Sequence, residues 1–296
     1  MKVFLTGTTG YLGSAIATQL LNNGHDVLGH VRTADAAGRV AQLGIIPQLG
    51  PLTDPAWLRT VLAGVDGAIH AASPNDAGSA ALDHAVLDTV LDAFAGTGQR
   101  YVHTGGSWIH GSGQHLNEHS PFAPPEMVAW RPAVLERIKD AAGTVRATMV
   151  GPANLYGHGG GLVRLLLNGP VDDGRLVYPG DTQKFAAIHV EDAAALFVRV
   201  LEHDAPGSYV IASNDQETPM DSLARALSQV RGLQGNIRAE APAAALNRLG
   251  MLAEPLLLDA TFNTSAAHAL GWAPEGPSLI DDVLSGSYKR SNQRTQ

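Results

Sequence analysis

The sequence predicts an α/β protein whose doubly wound, mostly parallel sheet carries a smaller C-terminal substrate lobe. Short apolar runs typical of buried strands alternate with helical segments through the first half of the chain. A glycine-rich turn joins the first of these runs to the first helix, and the pattern loosens after about Gly157. Strands separated by helices indicate βαβ units, and such units build parallel sheets with helices on both faces.

The elements of the first half follow one another in a regular order. Strand candidates are residues 3–5, 27–31, 45–46, 68–72, 101–103 and 147–150. Apolar residues recur at helical spacing after the first strand (Leu12, Ile16 and Leu20) and after the fourth (Leu82, Val86, Val90 and Phe94). This spacing places one apolar stripe on each helix, facing the sheet.

The second half predicts fewer regular elements. Helices are expected over residues 191–203 and 220–230, with a strand at 209–211 between them. The remainder reads as irregular, with a frayed polar end from Ser287. Because no flexible linker separates the two halves, we expect residues 1–156 to form the nucleotide-binding domain and residues 157–296 a lobe interleaved with it.

The composition favours a cytoplasmic globular protein with a small-molecule substrate. The 296 residues carry a net charge of −8, which argues against a nucleic-acid partner because phosphate binding needs a basic face. No apolar run approaches the length needed to span a membrane, and the N-terminus lacks the layout of a signal peptide. The absence of cysteine excludes disulfides, thiolate nucleophiles and Cys-ligated zinc.

The turn after the first strand has the pattern of a dinucleotide-binding loop. It reads Gly7-Thr8-Thr9-Gly10-Tyr11-Leu12-Gly13 and opens the first predicted helix. Gly7 permits the tight turn, Gly10 lets the backbone approach a pyrophosphate, and Gly13 allows close packing of the helix. The helix N-terminus would then stabilise the anion. The sequence therefore predicts a Rossmann fold that binds a dinucleotide.

The end of the second strand favours NADP(H) over NAD(H). NAD-binding chains usually place an acidic residue there to bind the ribose 2′-hydroxyl, but this chain reads His30-Val31-Arg32-Thr33. Arg32 offers a charged fork suited to a 2′-phosphate, although a solvated surface arginine is the alternative reading.

Four motifs in order resemble the extended branch of the short-chain dehydrogenase/reductase superfamily, typified by nucleotide-sugar epimerases and dehydratases. They are the TGxxGxxG loop at residues 6–13, the Ala-Ala of the fourth strand at 71–72, the Pro-x-Asn-x-Tyr-Gly segment at 152–157, and the His-Val-x-Asp-x-Ala helix start at 189–194. The resemblance places that last helix in the substrate lobe. Together with the loop and Arg32, it implies the following cofactor-binding residues: Gly7, Thr9, Gly10, Tyr11, Leu12, Gly13, Arg32, Leu52, Ala71, Ala72, Thr104, Pro152 and Asn154.

The chain departs from this family at the catalytic pair. Relatives use Tyr-x-x-x-Lys on the helix after the fifth strand, where the lysine binds the ribose and lowers the tyrosine pKa. Here Val128 takes the tyrosine position and Pro132 the lysine position, and no tyrosine lies between Tyr101 and Tyr156. Arg131 is one residue from the lysine position, but one helical step turns a side chain by about 100°, so it would supply charge without the same geometry.

Three other residues are the candidates for catalysis, and each has a structural alternative. Ser107 is the candidate hydrogen-bond donor to substrate, Tyr156 the remaining hydroxylic acid, and His110 a further acid or base. His115 and His119 have helical spacing, but glycines and a proline nearby make a helix improbable there, so we expect no metal site.

The leading functional hypothesis is an atypical NADP(H)-dependent oxidoreductase, or an epimerase/dehydratase-like enzyme, acting on a small carbonyl or hydroxy compound. The alternatives are a non-redox isomerase or cyclase on the same scaffold, and a cofactor-sensing regulator. The resemblance also implies a homodimer formed through residues 79–95 and 127–142.

Overall fold

The computed structural model describes residues 1–205 and 207–289, which form strands and helices in alternation. The strands are β1 (Lys2–Leu5), β2 (Asp26–Val31), β3 (Ile46–Leu49), β4 (Gly67–His70), β5 (Arg100–Thr104), β6 (Gly113–Leu116), β7 (Arg146–Pro152), β8 (Asn154–Tyr156), β9 (Val171–Asp172), β10 (Arg175–Pro179), β11 (Ala187–His189), β12 (Tyr209–Ala212), β13 (Ile237–Glu240) and β14 (Ala260–Phe262). The six strands predicted for the first half, and the one at 209–211, are confirmed.

The helices complete the two layers around the sheet and build most of the lobe. They are α1 (Tyr11–Asn22), α2 (Ala34–Ala41), α3 (Pro55–Leu62), α4 (Ser79–Phe94), α5 (Arg131–Asp140), α6 (Gly161–Leu167), α7 (Val190–Glu202), α8 (Met220–Val230), α9 (Pro242–Leu249), α10 (Ala253–Leu256), α11 (Ser265–Ala269) and α12 (Leu279–Ser285). No helix of the described residues is long and apolar enough to cross a membrane.

The central sheet has seven strands in the order β12-β7-β5-β4-β1-β2-β3, and every pairing is parallel. Helices α1 and α7 pack together on one face, whereas α3, α4 and α5 pack side by side on the other. The predicted doubly wound fold is confirmed. The strand order reverses between β1 and β4, and ligands of open α/β sheets bind at such a reversal.

The chain returns to this sheet after it has entered the lobe. Helix α7 contacts β4, β5 and β7, and β12 pairs with β7 from Tyr209 opposite Met149 to Ala212 opposite Pro152. The expectation that the His-Val-x-Asp-x-Ala helix lies in the substrate lobe is therefore wrong. Its apolar face, from Val190 to Leu201, is buried on the main sheet instead.

The lobe has its own apolar core and is more regular than the sequence suggests. A three-stranded sheet, β13-β10-β9, packs with α6, α8 and α12 around buried Tyr156, Tyr178 and Leu223. The expectation of an irregular tail is wrong, because α9 to α12 occupy it. Tyr288 is fully buried, so the predicted frayed end does not begin at Ser287; residues 290–296 lie outside the described residues.

Candidate functional site

The glycine-rich loop leaves no room for side chains at two of its three glycines. A Cβ on Gly7, whose φ is +72°, would lie 2.3 Å from the carbonyl oxygen of Ala71, and one on Gly13 would lie 2.0 Å from that of Gly7. A Cβ on Gly10 would meet only the oxygen of Gly7, at 3.1 Å. Gly7 and Gly13 thus hold the turn against its neighbours, whereas a Cβ at Gly10 would be crowded by one carbonyl oxygen only.

Helix α1 begins at this loop with its N-terminal amides uncapped. No side chain caps it at Gly10, and no acidic residue lies in its first turn. Unpaired N–H groups and the helix dipole make such an end favourable for an anion. A cradle that only glycine can form, next to an uncapped helix N-terminus, fits the pyrophosphate of a dinucleotide.

A cleft of about 480 Å³ runs along the ends of β2, β1, β4 and β5 above this loop. Its volume falls within the roughly 300–1,000 Å³ typical of small-molecule sites. The predicted cofactor residues that line it are Gly7, Thr9, Gly10, Tyr11, Leu12, Gly13, Arg32, Leu52, Ala71, Ala72 and Thr104. The cleft therefore brings together eleven of the thirteen, on five different segments of the chain.

Arg32 stands at one end of the cleft, beyond the last residue of β2. Its side chain is exposed and pairs with no acidic group of the described residues. The neighbouring His30 is buried and its Nε2 lies 2.8 Å from the carbonyl oxygen of Gly50; burial lowers the pKa of His30. Thr33 caps α2 through its hydroxyl. The polar groups beside Arg32 are thus engaged, and its own guanidinium is available to a ligand.

Arg131 stands at the other end, and its side chain reaches the cleft. The helix there does not run continuously through the two family positions: a 3₁₀ turn ends at Val128, and α5 begins at Arg131 itself. That Arg131 supplies charge without the geometry of the family's lysine stays a prediction, and the structure places its side chain at the wall of the cleft. Its Nη1 donates to the carbonyl oxygens of Thr104 (3.0 Å) and Gly105 (3.1 Å), directly beyond β5.

Beneath Arg131 lies a carboxylate, Asp83 of α4, that is almost fully buried. The Nε2 atoms of two histidines approach its oxygens, at 3.1 Å for His70 and 3.3 Å for His103. The hydroxyl of Thr6 lies 2.8 Å from His70 Nδ1, and that of Tyr101 lies 2.7 Å from His103 Nδ1. All five side chains are at most 3% exposed.

The electrostatics of this cluster keep the carboxylate ionised. Hydrogen bonds from His103 and His70 outweigh burial and hold the pKa of Asp83 well below its usual range. Burial, the largest cause, lowers the pKa of His103 to about 4, so its ring is neutral at physiological pH.

Thr6 links the cluster to the cleft wall. Its oxygen accepts the backbone N–H groups of Ala71 (3.0 Å) and Ala72 (3.1 Å), both of which line the cleft. The hydroxyl of Thr104 donates to the carbonyl oxygen of His70 at 2.6 Å. The ends of β1, β4 and β5 are thereby tied to one another.

Pro152 and Asn154 do not line the cleft. Asn154 is buried, its Nδ2 donates to the carbonyl oxygen of Ala186, and its Oδ1 accepts the indole N–H of Trp108 at 3.0 Å. Ser107 and Trp108 line a separate, small cavity together with Asn154. The cavity is further bounded by Lys184 and by apolar residues that include Phe262.

His110 and Tyr156 lie away from both cavities. His110 is enclosed by the rings of Phe122, Tyr209 and Phe262, and burial lowers its pKa. The hydroxyl of Tyr156 donates to the carbonyl oxygen of Pro277 at 2.6 Å within the lobe, and burial raises its pKa to about 12. The structure therefore does not bring Ser107, His110 and Tyr156 together at the cleft.

Sequence reasoning missed the Asp83 cluster entirely. Its members come from the end of β1 and from β4, α4 and β5, which are separate in the chain. The only signal of the cluster in the sequence was Asp83, a polar residue that follows Leu82 of the apolar stripe on α4. The side chains of both residues face inward. Groups of three or more acidic or histidine residues with metal-binding geometry are absent from residues 1–205 and 207–289.

Comparisons with known proteins agree with this architecture. Residues 3–212 match the sequence profile of the NAD dependent epimerase/dehydratase family. An uncharacterized protein of Schizosaccharomyces pombe is 28% identical over 296 residues, which cover 97% of this chain and 100% of the relative. The Stigmatella aurantiaca enzyme 4-hydroxy-2-methyl-3-oxo-4-farnesyl-3,4-dihydroquinoline-1-oxide ketoreductase is 40% identical over 73 residues, 25% of this chain and 22% of its own.

Among solved structures, the dTDP-glucose 4,6-dehydratase of Bacillus anthracis, in complex with NAD, superposes with a TM-score of 0.80. The match covers 100% of this chain and 98% of that one at 13% identity. At this level of identity the likeness shows a common fold and leaves the chemistry to be argued from the residues.

Proposed function

The chain belongs to the NAD dependent epimerase/dehydratase family, and from that premise we propose that it is an NADP(H)-dependent oxidoreductase acting on a small carbonyl or hydroxy compound. The family and fold establish a scaffold for NAD(P)-dependent enzymes. The choice of NADP(H), the redox outcome and the substrate class are the proposed parts.

The observation that carries the proposal is the position of Arg32 in the cleft. A dinucleotide whose pyrophosphate lies at Gly10 extends in both directions, and its adenosine half lies towards the end of the second strand in this fold. There the chain offers an exposed guanidinium that has no acidic partner among residues 1–205 and 207–289, beside the apolar Val31 and Leu52. A carboxylate at this point would repel a 2′-phosphate, whereas Arg32 attracts it.

The residues at the other end fit hydride chemistry rather than nucleophilic catalysis. When bound, the nicotinamide cofactor gives a hydride to a carbonyl carbon or takes one from an alcohol carbon. Thr104 lines the cleft here with a hydroxyl, and Arg131 adds a permanent positive charge to the wall of the cleft. The described residues that line the cleft include no tyrosine in the family's catalytic position.

The substrate class is proposed from the family and not from the small cavity beside Ser107 and Trp108. That cavity has a volume of about 10 Å³, which is room for one water molecule at most, and the ammonium of Lys184 next to it is paired with Glu217. The Stigmatella aurantiaca relative is named a ketoreductase, which is compatible with a carbonyl substrate.

The test is a binding and activity experiment on the purified protein. Titration calorimetry with NADP⁺ and NAD⁺ should give tighter binding of NADP⁺. Absorbance at 340 nm should then fall when NADPH is mixed with a panel of aromatic and aliphatic ketones and aldehydes. Binding of NADPH without turnover of any compound would favour a cofactor-sensing regulator, and tighter binding of NAD⁺ would refute the choice of cofactor.

We also propose a homodimer formed through α4 and α5. The support is the analogy with the extended branch alone, because the Leu82, Val86 and Val90 stripe of α4 is used within the chain: Val86 and Val90 are buried, and Leu82 lines the cleft. The outward face carries the pair Asp88–Arg137, which links α4 with α5. A mass of one chain by light scattering at micromolar concentration would refute this proposal.

A further inference from the structure

The hydrogen bonds of the Asp83 cluster determine the protonation of both histidines. An ionised carboxylate only accepts hydrogen bonds, so His70 and His103 must each carry a proton on Nε2. Thr6 already accepts two backbone N–H groups, so its hydroxyl donates to Nδ1 of His70, and the Tyr101 hydroxyl donates to Nδ1 of the neutral His103 ring. In this arrangement every described hydrogen-bonding group of the cluster is satisfied, and Asp83 holds a buried negative charge.

A single buried negative charge is costly unless a positive charge lies nearby. Arg131 is the one lysine or arginine within 4 Å of Asp83 in the part of the chain that the structure describes, with Nη1 3.9 Å from Oδ2. Its side chain is 17% exposed, so solvent screens the attraction only partly. Asp83 and Arg131 are therefore opposite charges close enough to attract each other, with no hydrogen bond between them.

The same guanidinium has donors left for a ligand. Nη1 is used by the carbonyl oxygens of Thr104 and Gly105, and one face of the group lies 4.6 Å from the ring centre of Trp130. Nε and Nη2 donate to no described residue, and Arg131 lines the cleft. A guanidinium stays protonated under all ordinary conditions, so it acts as a binding group and not as an acid or base.

We propose that Arg131 binds the nicotinamide-riboside half of the dinucleotide through these free donors, in place of the family's lysine, and that Asp83 is the positioning residue that fixes it. This inference rests on the proposed function for the identity of the cofactor. The adenosine half lies at Arg32, so the other half extends past Gly10 towards Thr104 and Arg131. One arginine at each end of the cleft thus binds one half of the dinucleotide.

The test uses a fragment of NADP⁺ to separate the binding of the adenosine half from that of the nicotinamide-riboside half. Adenosine 2′,5′-bisphosphate carries the adenosine, its 2′-phosphate and one further phosphate but lacks the nicotinamide riboside. We expect Arg131→Met to weaken NADP⁺ binding about tenfold, the effect of losing a charge-assisted hydrogen bond, and to change binding of the fragment less than twofold. Arg137→Met removes the same charge from the exposed side of the same helix and should change neither affinity.

A second pair of variants tests the positioning role of Asp83. Asp83→Asn keeps the shape but removes the charge, and should weaken NADP⁺ binding while sparing the fragment. The double variant Asp83→Asn, Arg131→Met removes both charges, so it should unfold at higher urea than Arg131→Met without recovering NADP⁺ affinity. It also keeps the binding test feasible if Arg131→Met alone fails to fold.

The outcomes distinguish this inference from the proposed function. Equal weakening of NADP⁺ and fragment by Arg131→Met, or no weakening of either, overturns the role of Arg131. An effect on the KM of a ketone substrate alone overturns it as well, because it would make Arg131 a substrate-binding group. If the wild-type protein binds neither NADP⁺ nor the fragment, the proposed function itself fails.

Discussion

Arg32 and Arg131 lie at opposite ends of one cleft and are held in opposite ways. Arg32 is exposed beyond β2 and has no ion pair among the described residues, whereas Arg131 is mostly buried and bound to two backbone carbonyls near Asp83. An exposed charge can change without disturbing its surroundings, so it suits the selection of one ligand over another. A buried charge is coupled to its partners, so a change at Arg131 or Asp83 should also alter the cost of burying the other charge.

The largest expected effect is at Gly10, between the two ends, where both halves of the ligand must pass. Gly10→Val adds a branched side chain at the point where the pyrophosphate is proposed to lie, and we expect at least a hundredfold loss of affinity for NADP⁺ and NAD⁺ alike, or about 3 kcal/mol. Gly38→Val is the matched control, because a Cβ on Gly38 of α2 meets nothing within 4 Å. If calorimetry shows that Gly10→Val binds NADP⁺ and NAD⁺ as tightly as the wild type does, the comparison of the two ends of the cleft loses its basis.

The buried cluster at the Arg131 end of the cleft also leads us to expect that stability depends on pH. The pKa of His103 is about 4 in the folded protein and about 6.5 when unfolded, so between these values only the unfolded chain binds the proton. The free energy of unfolding should therefore fall as pH falls from about 6.5 to about 4, by on the order of 3 kcal/mol from this residue.

Urea unfolding at pH 7 and pH 4.5 measures this loss. His103→Gln retains a donor for Asp83 and an acceptor for Tyr101 but does not titrate, so its stability should decline less than that of the wild type. His119→Gln, at an exposed position, should decline as the wild type does. The same decline in all three proteins would contradict a neutral, buried His103.

At the Arg32 end of the cleft, we expect a substitution to change the selectivity between NADP⁺ and NAD⁺ without changing stability. Arg32→Ala should lower the preference for NADP⁺ over NAD⁺ ten- to a hundredfold, because a charge-assisted contact contributes about 1.5–3 kcal/mol, while NAD⁺ affinity stays nearly unchanged. Arg39→Ala removes an equally exposed arginine that does not line the cleft and should leave the preference intact. Parallel weakening of both dinucleotides by Arg32→Ala would show that Arg32 does not read the 2′-phosphate.

The smallest effect on activity is expected at Tyr156, which belongs to neither end. Its hydroxyl is bound to the Pro277 carbonyl in the lobe, so Tyr156→Phe should cost about 1 kcal/mol of stability and leave kcat within about twofold. A loss of kcat greater than a hundredfold in a correctly folded variant would instead identify Tyr156 as the proton donor.

The sequence by itself determined the sheet, the glycine loop and the arginine at the end of β2. These features depend on the periodicity of apolar residues, on a glycine at the turn and on the order of residues along one strand–turn–helix unit. All of these are visible in a stretch of about thirty residues of sequence. For the same reason, the amount of regular structure in the lobe was underestimated. Helices α9 to α12 are too short to show a long apolar stripe in the sequence, and they are stabilised by packing.

Only the tertiary structure revealed the charged cluster at the other end of the cleft. Asp83, His70 and His103 lie on α4, β4 and β5, and Arg131 begins α5 after an irregular segment. No pattern within one element relates them, because parallel strands and the helices that cross between them bring together side chains that are distant in the chain. Burial then couples their charges, and that coupling exists only in the folded protein.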